Sequence, residues 1–560
     1  MKQTALGIAA LLLTVCTGWA QQYPGYTLYA VQNQSTANLV DTNGNLVHTW
    51  NFASTAKTGY STYMLQGGTL VRAVAKTGNS FTGGPICGEV QMVDYYGNVT
   101  WDYVYSTTNY CTHHDICPMP NGNVLLIAYE RKTSTETSTA GGTSAIEMWP
   151  DKIVEVQPTG ATTGTVVWEW HAWDHMMQNV DANKANYVAS LSAHPELLNI
   201  NYKQSKDWLH MNGVNYNAQL DQIAFSCHNM TEIYVIDHST TTAQAASHAG
   251  GNSGKGGDLL YRWGNPAAYG AGTTADQVLK SAVHDAHWVP QGCPKAGYLV
   301  AFNNGGQTSP SQKSTIDIVN PPVSGYNYTL TGTAYSPASF TWRHVGTGYT
   351  SNMGGSQQLP NGNMIVTIAL SGSIYEIDSN QNVLWTKSAG GTVAKAYRDS
   401  ACYISGTAPT TPTIATAGSM LTSSAAFSYQ WYLNNNAISG ATAQSYTATQ
   451  TGSYQVVVGD TLGCMSNQSN AYSYVATGIN EVDALNGVNI YPNPTTGLLN
   501  ISGEAVNGKF MVMVFDMQGK MVVKVQDQKV IDLSALSNGL YNVMIKTDDI
   551  TINRKLTLVK

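Results

Sequence analysis

A repeating unit limits what this chain can fold into. Short β-rich segments with period-two alternation end in a tryptophan six times, at Trp50, Trp101, Trp168, Trp263, Trp342 and Trp385. Two of the units open on the same turn, Pro120-Asn121-Gly122-Asn123 and Pro360-Asn361-Gly362-Asn363, with weaker openings near Gly67, Tyr216 and Pro290. Six closings predict six repeats, each a four-stranded antiparallel sheet with Gly, Asn and Asp at its turns. One such sheet cannot cover both of its faces. Packing several around an axis buries both and shelters the edges, so the expected fold is all-β, a six-bladed β-propeller over residues 25–403. Residues 26–50 have no opening of their own and are expected to complete a blade whose other strands come from the far end of the array, closing the ring like a clasp. The polar insertion at 170–208 reads as a cap over one end, with a helical stretch at 180–198.

Composition removes other classes. Charged residues make up 11% of the chain, against about 25% in ordinary domains, which excludes coiled coils and long surface helices. A net charge of -7 without a Lys/Arg run excludes nucleic acid as a partner. Lys2, an apolar stretch over residues 5–15, and the small residues Gly18 and Ala20 form a signal peptide over 1–20, cleaved after Ala20. Cys16 follows Val15 rather than a small residue, which disfavours a lipid anchor. No later apolar run is long enough to cross a bilayer, so an exported, soluble chain without a transmembrane segment is expected. Seven cysteines remain after the leader. Export permits disulfides, and the pairs expected first are Cys111 with Cys117, or Cys87 with either. Cys464 is a further candidate partner for Cys402.

After a Thr/Pro/Ala linker at 406–415, a strand bearing Trp431 and a later strand bearing Tyr454 resemble an immunoglobulin-like β-sandwich, placed at 407–476. The tail carries four ordered motifs, around Pro492-Asn493-Pro494, Asp516 to Gly519, Gly539 to Tyr541, and the last six residues. It resembles the C-terminal sorting domain of the type IX secretion system, placed at 487–560. That resemblance implies a small β-sandwich, the type IX machinery as partner, and a secreted or cell-surface location. Chemistry is therefore expected in the propeller.

Histidines cluster just before inner strands, at His113 and His114, at His210, and at His284 and His287. His114, His210 and His284 each stand six positions ahead of their repeat's turn, at Pro120, Tyr216 and Pro290. Equivalent positions in a propeller converge on its axis, so these imidazoles are expected in one funnel, where they can attack electrophiles or shuttle protons. A metal centre is disfavoured: adjacent His113 and His114, and His284 and His287 three apart, split between opposite faces of a strand. No P-loop and no Gly-x-Ser-x-Gly elbow is present. No cofactor and no metal ligand set is assigned.

The segments Asp207-Trp208-Leu209-His210-Met211-Asn212, Arg262-Trp263-Gly264-Asn265-Pro266, His284-Asp285-Ala286-His287-Trp288 and Phe302-Asn303-Asn304-Gly305 resemble the bacterial aryl-sulfate sulfotransferases over roughly residues 25–400. The resemblance implies a six-bladed propeller that moves a sulfuryl group from an aryl sulfate to a phenol without a nucleotide donor, through a transiently sulfated axial histidine. It implies His210, His284, His287 and His114 as catalytic residues, with Asn212, Asn304, Trp288 and His113 as substrate contacts. The alternative is an inactive propeller that binds a ligand or a protein. Two departures favour the alternative: Gly306 and Gln307 stand where the family has an Arg, and the approach to the late blade, residues 350–355, has no histidine. His344 lies beside Trp342 and is expected at the blade rim.

Overall fold

All six closing tryptophans lie on the fourth, outermost strand of a four-stranded antiparallel sheet. The computed structural model describes residues 21–405, 408–438, 440–460, 464–476, 488–547 and 551–560. Ala20 and Cys16 lie outside the described residues. The inner strands of the second to sixth sheets are Lys57–Met64, Tyr110–Pro118, Met211–Asn217, Val283–Trp288 and Gly355–Gln358. The first sheet closes the ring. Its three outer strands, Tyr26–Ala30, Thr36–Val40 and Leu46–Asn51, come from the start of the array, and its inner strand, Ala396–Asp399, comes from the end. The clasp is thus present, with one strand rather than several supplied by the far end. The inner strands pack in succession from the second sheet round to the first, and Tyr26–Ala30 of the first packs on the inner strand of the second, which makes the body a β-propeller. Because both faces of each blade are covered, middle strands such as Val124–Glu130 are buried at every position.

Four of the six tryptophans fasten blade to blade by a hydrogen bond. The indole N–H of Trp50 donates to the Asp94 carbonyl at 2.9 Å, and that of Trp101 to the Thr163 carbonyl at 2.9 Å. Trp168 donates to Thr240 Oγ1 at 3.1 Å, and Trp263 to the Pro337 carbonyl at 2.8 Å. In all four cases the acceptor belongs to the following blade. The ring fills the apolar wedge between sheets while its one polar atom is satisfied across the gap.

Residues 180–198 contain no α-helix. They form a 3-10 turn at Leu191–Ala193, and Leu198–Asn199 pairs in parallel with Met176–Met177. The cause is the buried Gln178. Its amide oxygen accepts the N–H groups of Val180 and Asp181, and its amide nitrogen donates to the carbonyls of Asp181 and Ala185. Those two carbonyls are acceptors that a helix over 180–198 would have paired.

The expected pairs among Cys87, Cys111 and Cys117 are absent, and all three are buried free thiols. Cys111 and Cys117 lie six residues apart on the strand Tyr110–Pro118, about 20 Å along a strand, whereas a disulfide needs Cα atoms within about 7 Å. Cys402 does pair with Cys464, with Cα atoms 5.2 Å apart. This bond ties the end of the propeller to a two-sheet sandwich whose core holds Trp431 and Tyr454. The sandwich's first strand, Ile414–Ala417, begins inside the stretch expected to be linker. The C-terminal unit, described by itself, packs a three-stranded and a four-stranded sheet around Leu499, Ile501, Val512, Val514 and Val543.

Replacing Trp101 by Phe keeps most of the apolar wedge but deletes the donor to Thr163. We expect a loss of about 0.5–1.5 kcal/mol, against about 3–5 kcal/mol for Trp101→Ala, both read from the denaturant midpoint.

Candidate functional site

Four histidines meet at the inner strand ends. His114, His210 and His284 come from the third, fourth and fifth sheets, and His228 from the turn after Gln222–Cys227. With Gly84, Pro85, Asn352 and Met353 they line a cavity of about 420 Å³. Ring centroids are 4.6 Å apart for His114 and His210, 5.0 Å for His210 and His228, and 5.7 Å for His228 and His284. A larger hollow of about 550 Å³ between Trp263, Tyr269 and Tyr335 contains no histidine.

The backbone turns these side chains inward at a cost. His114 and His210 have φ of 52° and 55°, and Asp285 and Met353 both have 56°, the left-handed region that non-glycine residues avoid. The inner strands of the second to fifth sheets each carry a register shift at this end, between Thr58 and Thr62, Thr112 and Ile116, Met211 and Gly213, and His284 and His287. A bulge re-aims the side chain beside it. It also undoes the opposite-face rule, since His113 Nδ1 and His114 Nδ1 lie 2.8 Å apart.

One buried ion triad lies next to the rings. Lys395 Nζ contacts Asp115 and Asp285, each at 2.6 Å. Although burial opposes it, the two carboxylates hold the Lys395 ammonium well above its ordinary range. Asp285 is likewise held down to about 2, against the effect of burial, by Lys395. Asp115 and Asp285 directly follow His114 and His284, so the triad fixes the backbone that carries two of the rings.

The four rings are not equivalent. His284 has no free nitrogen: Nδ1 donates to Asn304 Oδ1 at 2.7 Å, and Nε2 accepts the Met353 N–H at 3.1 Å. Asn304 in turn donates to the carbonyls of Thr350 and Met353. His228 Nδ1 donates to Asn229 Oδ1 at 2.9 Å, which leaves its Nε2 as an acceptor. His210 Nδ1 donates to Asp207 Oδ2 at 2.7 Å. Despite burial, His210 holds the Asp207 carboxyl below its usual range. His210 is thus backed by a carboxylate, and its Nε2 has no protein partner among the described residues.

His114 is backed differently. Its Nδ1 meets His113 Nδ1, and His113 Nε2 meets Asp151 Oδ1 at 2.7 Å. Burial pushes Asp151 well above the carboxylate range and His113 well below the imidazole range. His114 is also held well below by burial, then by His210 and His113. These contacts join Asp151, His113 and His114 in one chain. His114 Nε2, at its end, has no protein partner among the described residues.

The other expected site residues lie elsewhere. His113 is sandwiched behind His114 and stacks on Tyr129 at 3.6 Å. Asn212 is a buried strap, donating to the Val283 carbonyl and accepting from Ser226. Asn304 positions His284. His287 Nδ1 donates to the Asp285 carbonyl, and Trp288 packs in the core between the fourth and fifth sheets; neither lines the cavity. His344 is buried on the outer strand Trp342–Val345, where it bonds Tyr375 and Gln381. Arg343 is bound to Asp317. No Lys or Arg lines the cavity among the described residues. Sequence reasoning missed His228, which sits in a turn without the six-residue offset. It also missed Asp207 and Asp151, of which Asp207 is legible as an i, i+3 neighbour of His210.

Removing Lys395 (Lys395→Met) leaves two buried carboxylates uncompensated and is expected to cost about 3–5 kcal/mol, measured by chemical denaturation. His284 is held well below its ordinary value by burial and by His228. As pH falls below about 6.5 the unfolded chain takes up this proton more readily than the folded one, so stability falls with pH until the folded ring is also protonated. The slope of propeller stability against pH between 5 and 6 is expected to shrink in His284→Asn, by up to about 1.4 kcal/mol per pH unit.

Comparison with known proteins adds the family. A family model described as arylsulfotransferase (ASST) matches residues 17–402, and one described as a secretion system C-terminal sorting domain matches 489–559. The tail marks the chain for export, to the exterior or the cell surface. No helix among the described residues is long and apolar enough to cross a membrane. No curated protein matches the chain. Among solved structures, a Bacteroides caccae protein of unknown function matches at 10% identity and TM-score 0.38, covering 67% of this chain and 98% of that one. Apo AztD from Citrobacter koseri matches at 11% identity and TM-score 0.31, covering 67% and 98%. A catalytically inactive virginiamycin B lyase from Staphylococcus aureus matches at 10% identity and TM-score 0.31, covering 66% and 87%. Likenesses this distant carry no functional information. The model match spans more than two thirds of the sequence, and on that ground the chain belongs to the arylsulfotransferase (ASST) family.

Proposed function

We propose that the propeller transfers a sulfuryl group from an aryl sulfate to a phenolic acceptor, with His210 as nucleophile. The observation that carries this reading is the different backing of two facing rings, His210 by the Asp207 carboxylate and His114 through His113 by Asp151. Environments that set two neighbouring titratable groups to opposite tasks mark an acid and a base.

The steps follow from the atoms. The His210 Nε2 lone pair attacks sulfur, the S–O bond to the donor breaks, and its electron pair leaves on the phenolate oxygen. With the chain's proton held on Asp151, the departing phenolate, whose conjugate acid has a pKa of about 10, takes the His114 Nε2 proton while His114 Nδ1 takes the His113 Nδ1 proton and His113 Nε2 takes that of Asp151, which is left as the carboxylate. The acceptor phenol then binds, and its oxygen attacks the sulfur held on His210. The N–S bond breaks with its pair returning to Nε2, and the acceptor's proton passes back through His114 and His113 to Asp151. Asp207 orients His210 and offsets the positive charge that grows on its ring. His284, with both nitrogens engaged, is a positioning residue that holds Met353 at the cavity wall.

With 4-nitrophenyl sulfate and phenol, the full chain is expected to release nitrophenolate with ping-pong kinetics. Mass spectrometry after rapid quenching should find sulfuryl on His210. His210→Ala abolishes turnover, and Asp207→Asn lowers kcat by roughly 10²–10⁴-fold. Bound 4-nitrophenyl sulfate without turnover, and without labelled His210, would establish instead a propeller that only binds. The cavity's lack of Lys and Arg is the observation that favours that second reading.

A further inference from the structure

Away from the cavity, His175, His248 and Asp258 point ligand atoms at one spot, all within 4.8 Å of one another. His175 sits in a 3-10 turn, Ala172–His175, beyond the third sheet. His248 and Asp258 bracket a glycine-rich excursion, residues 249–257, between the last two strands of the fourth sheet. Both Nδ1 atoms face the same carboxylate oxygen, Asp258 Oδ1, at 2.9 Å from His175 and 2.7 Å from His248. His175 is fully buried, and its Nε2 meets the Ala245 carbonyl at 2.8 Å. A carbonyl only accepts, so the proton of a neutral His175 is on Nε2. Its Nδ1 lone pair then faces a carboxylate lone pair with nothing between them. Either a proton, on the ring or on the carboxyl, or a metal ion must occupy that gap.

We propose that this is a structural site for a divalent transition-metal ion of the zinc class. Two imidazoles and a carboxylate are a donor set for such an ion. The outer sphere is already built: a ligating histidine ordinarily gives its other N–H to a carbonyl or carboxylate, as His175 does to Ala245. Its ring is also held parallel to Trp170, 5.5 Å away at 2°. A tetrahedral ion with bonds of about 2.1 Å sets ligand atoms about 3.4 Å apart, so each contact opens by about half an ångström on binding. His248, with its side chain 64% exposed, can move to allow this and leaves the fourth position open to water. Five of the nine residues 249–257 are glycine, and an ion at their base closes a loop that is otherwise costly to order. The ion staples this excursion to the segment that follows the third sheet. It has no part in the sulfuryl chemistry.

The test uses the full chain dialysed against a chelator. Cobalt(II) is titrated by its visible absorption, and zinc by its competition with cobalt. One equivalent is expected in wild type, with loss of affinity in His248→Ala of at least the about 10–100-fold that losing an outer-sphere partner costs. His248 is exposed, so this variant does not threaten folding, and Asp258→Asn provides a second. Zinc should also slow tryptic cleavage at Lys255, inside the excursion, in wild type and not in His248→Ala. A wild type that takes up neither ion, or that takes up both as His248→Ala does, overturns the proposal and assigns the gap to a proton.

Discussion

The buried contact of Lys395 with Asp115 and Asp285 joins every blade. Asp115, on the inner strand of the third sheet, also accepts the Tyr63 hydroxyl from the second at 2.8 Å and the Val214 N–H from the fourth at 3.1 Å. Asp285, on the fifth, accepts the Ser356 N–H from the sixth at 2.8 Å. Lys395 leads directly into Ala396–Asp399, the strand that closes the first. A radial fold has no hydrophobic core running through its axis, because each apolar cluster lies between neighbouring blades. Polar groups at the centre must therefore satisfy one another. A buried triad is weak evidence for stability in itself, but here its members reach six strands distant in sequence, so it sets their height relative to one another.

That placement bears directly on the chemistry. His114 and His284 are the residues immediately before the two aspartates, and a shift of the triad would move both. The positive φ values at His114, His210, Asp285 and Met353 are conformations that persist only where surrounding contacts over-determine them. The triad and the strap from Asn304 to residues 350–353 supply those contacts. Since Lys395 immediately precedes the last strand of the array, the contacts around the histidine cluster are completed only when the ring closes. The clasp is thus a condition for the site as well as a device for hiding sheet edges.

Much of this was legible in the residues, and where it was not the reason is physical. Tryptophan spacing marks the outer strands because the indole serves two blades at once, so its position is fixed by the repeat. The six-residue offset finds His114, His210 and His284 because all three depend on one strand register. His287 and Trp288, named by the resemblance and not by the offset, lie beyond the bulge where alternation restarts. The offset also cannot find His228, which reaches the cavity from a turn on the second strand. The helix expected at 180–198 was lost to a single buried glutamine. The role of His284 was hidden for a related reason: whether a ring nitrogen is free depends on Asn304 and Met353, 20 and 69 positions away in sequence.

The empty position in the approach to the sixth sheet now has a structural counterpart. Met353 gives its N–H to His284, its carbonyl and that of Thr350 accept from Asn304, and a side chain at Gly354 would collide with the Phe302 ring. Gly354 also has φ of 109°, which a side chain disfavours. The segment is therefore sealed against the fifth sheet by hydrogen bonds from the two residues, His284 and Asn304, that would otherwise be offered to a substrate. The ring nitrogens of His210 and His114 that lack a protein partner lie on the opposite wall, where Asp207 backs His210 and the chain from Asp151 backs His114.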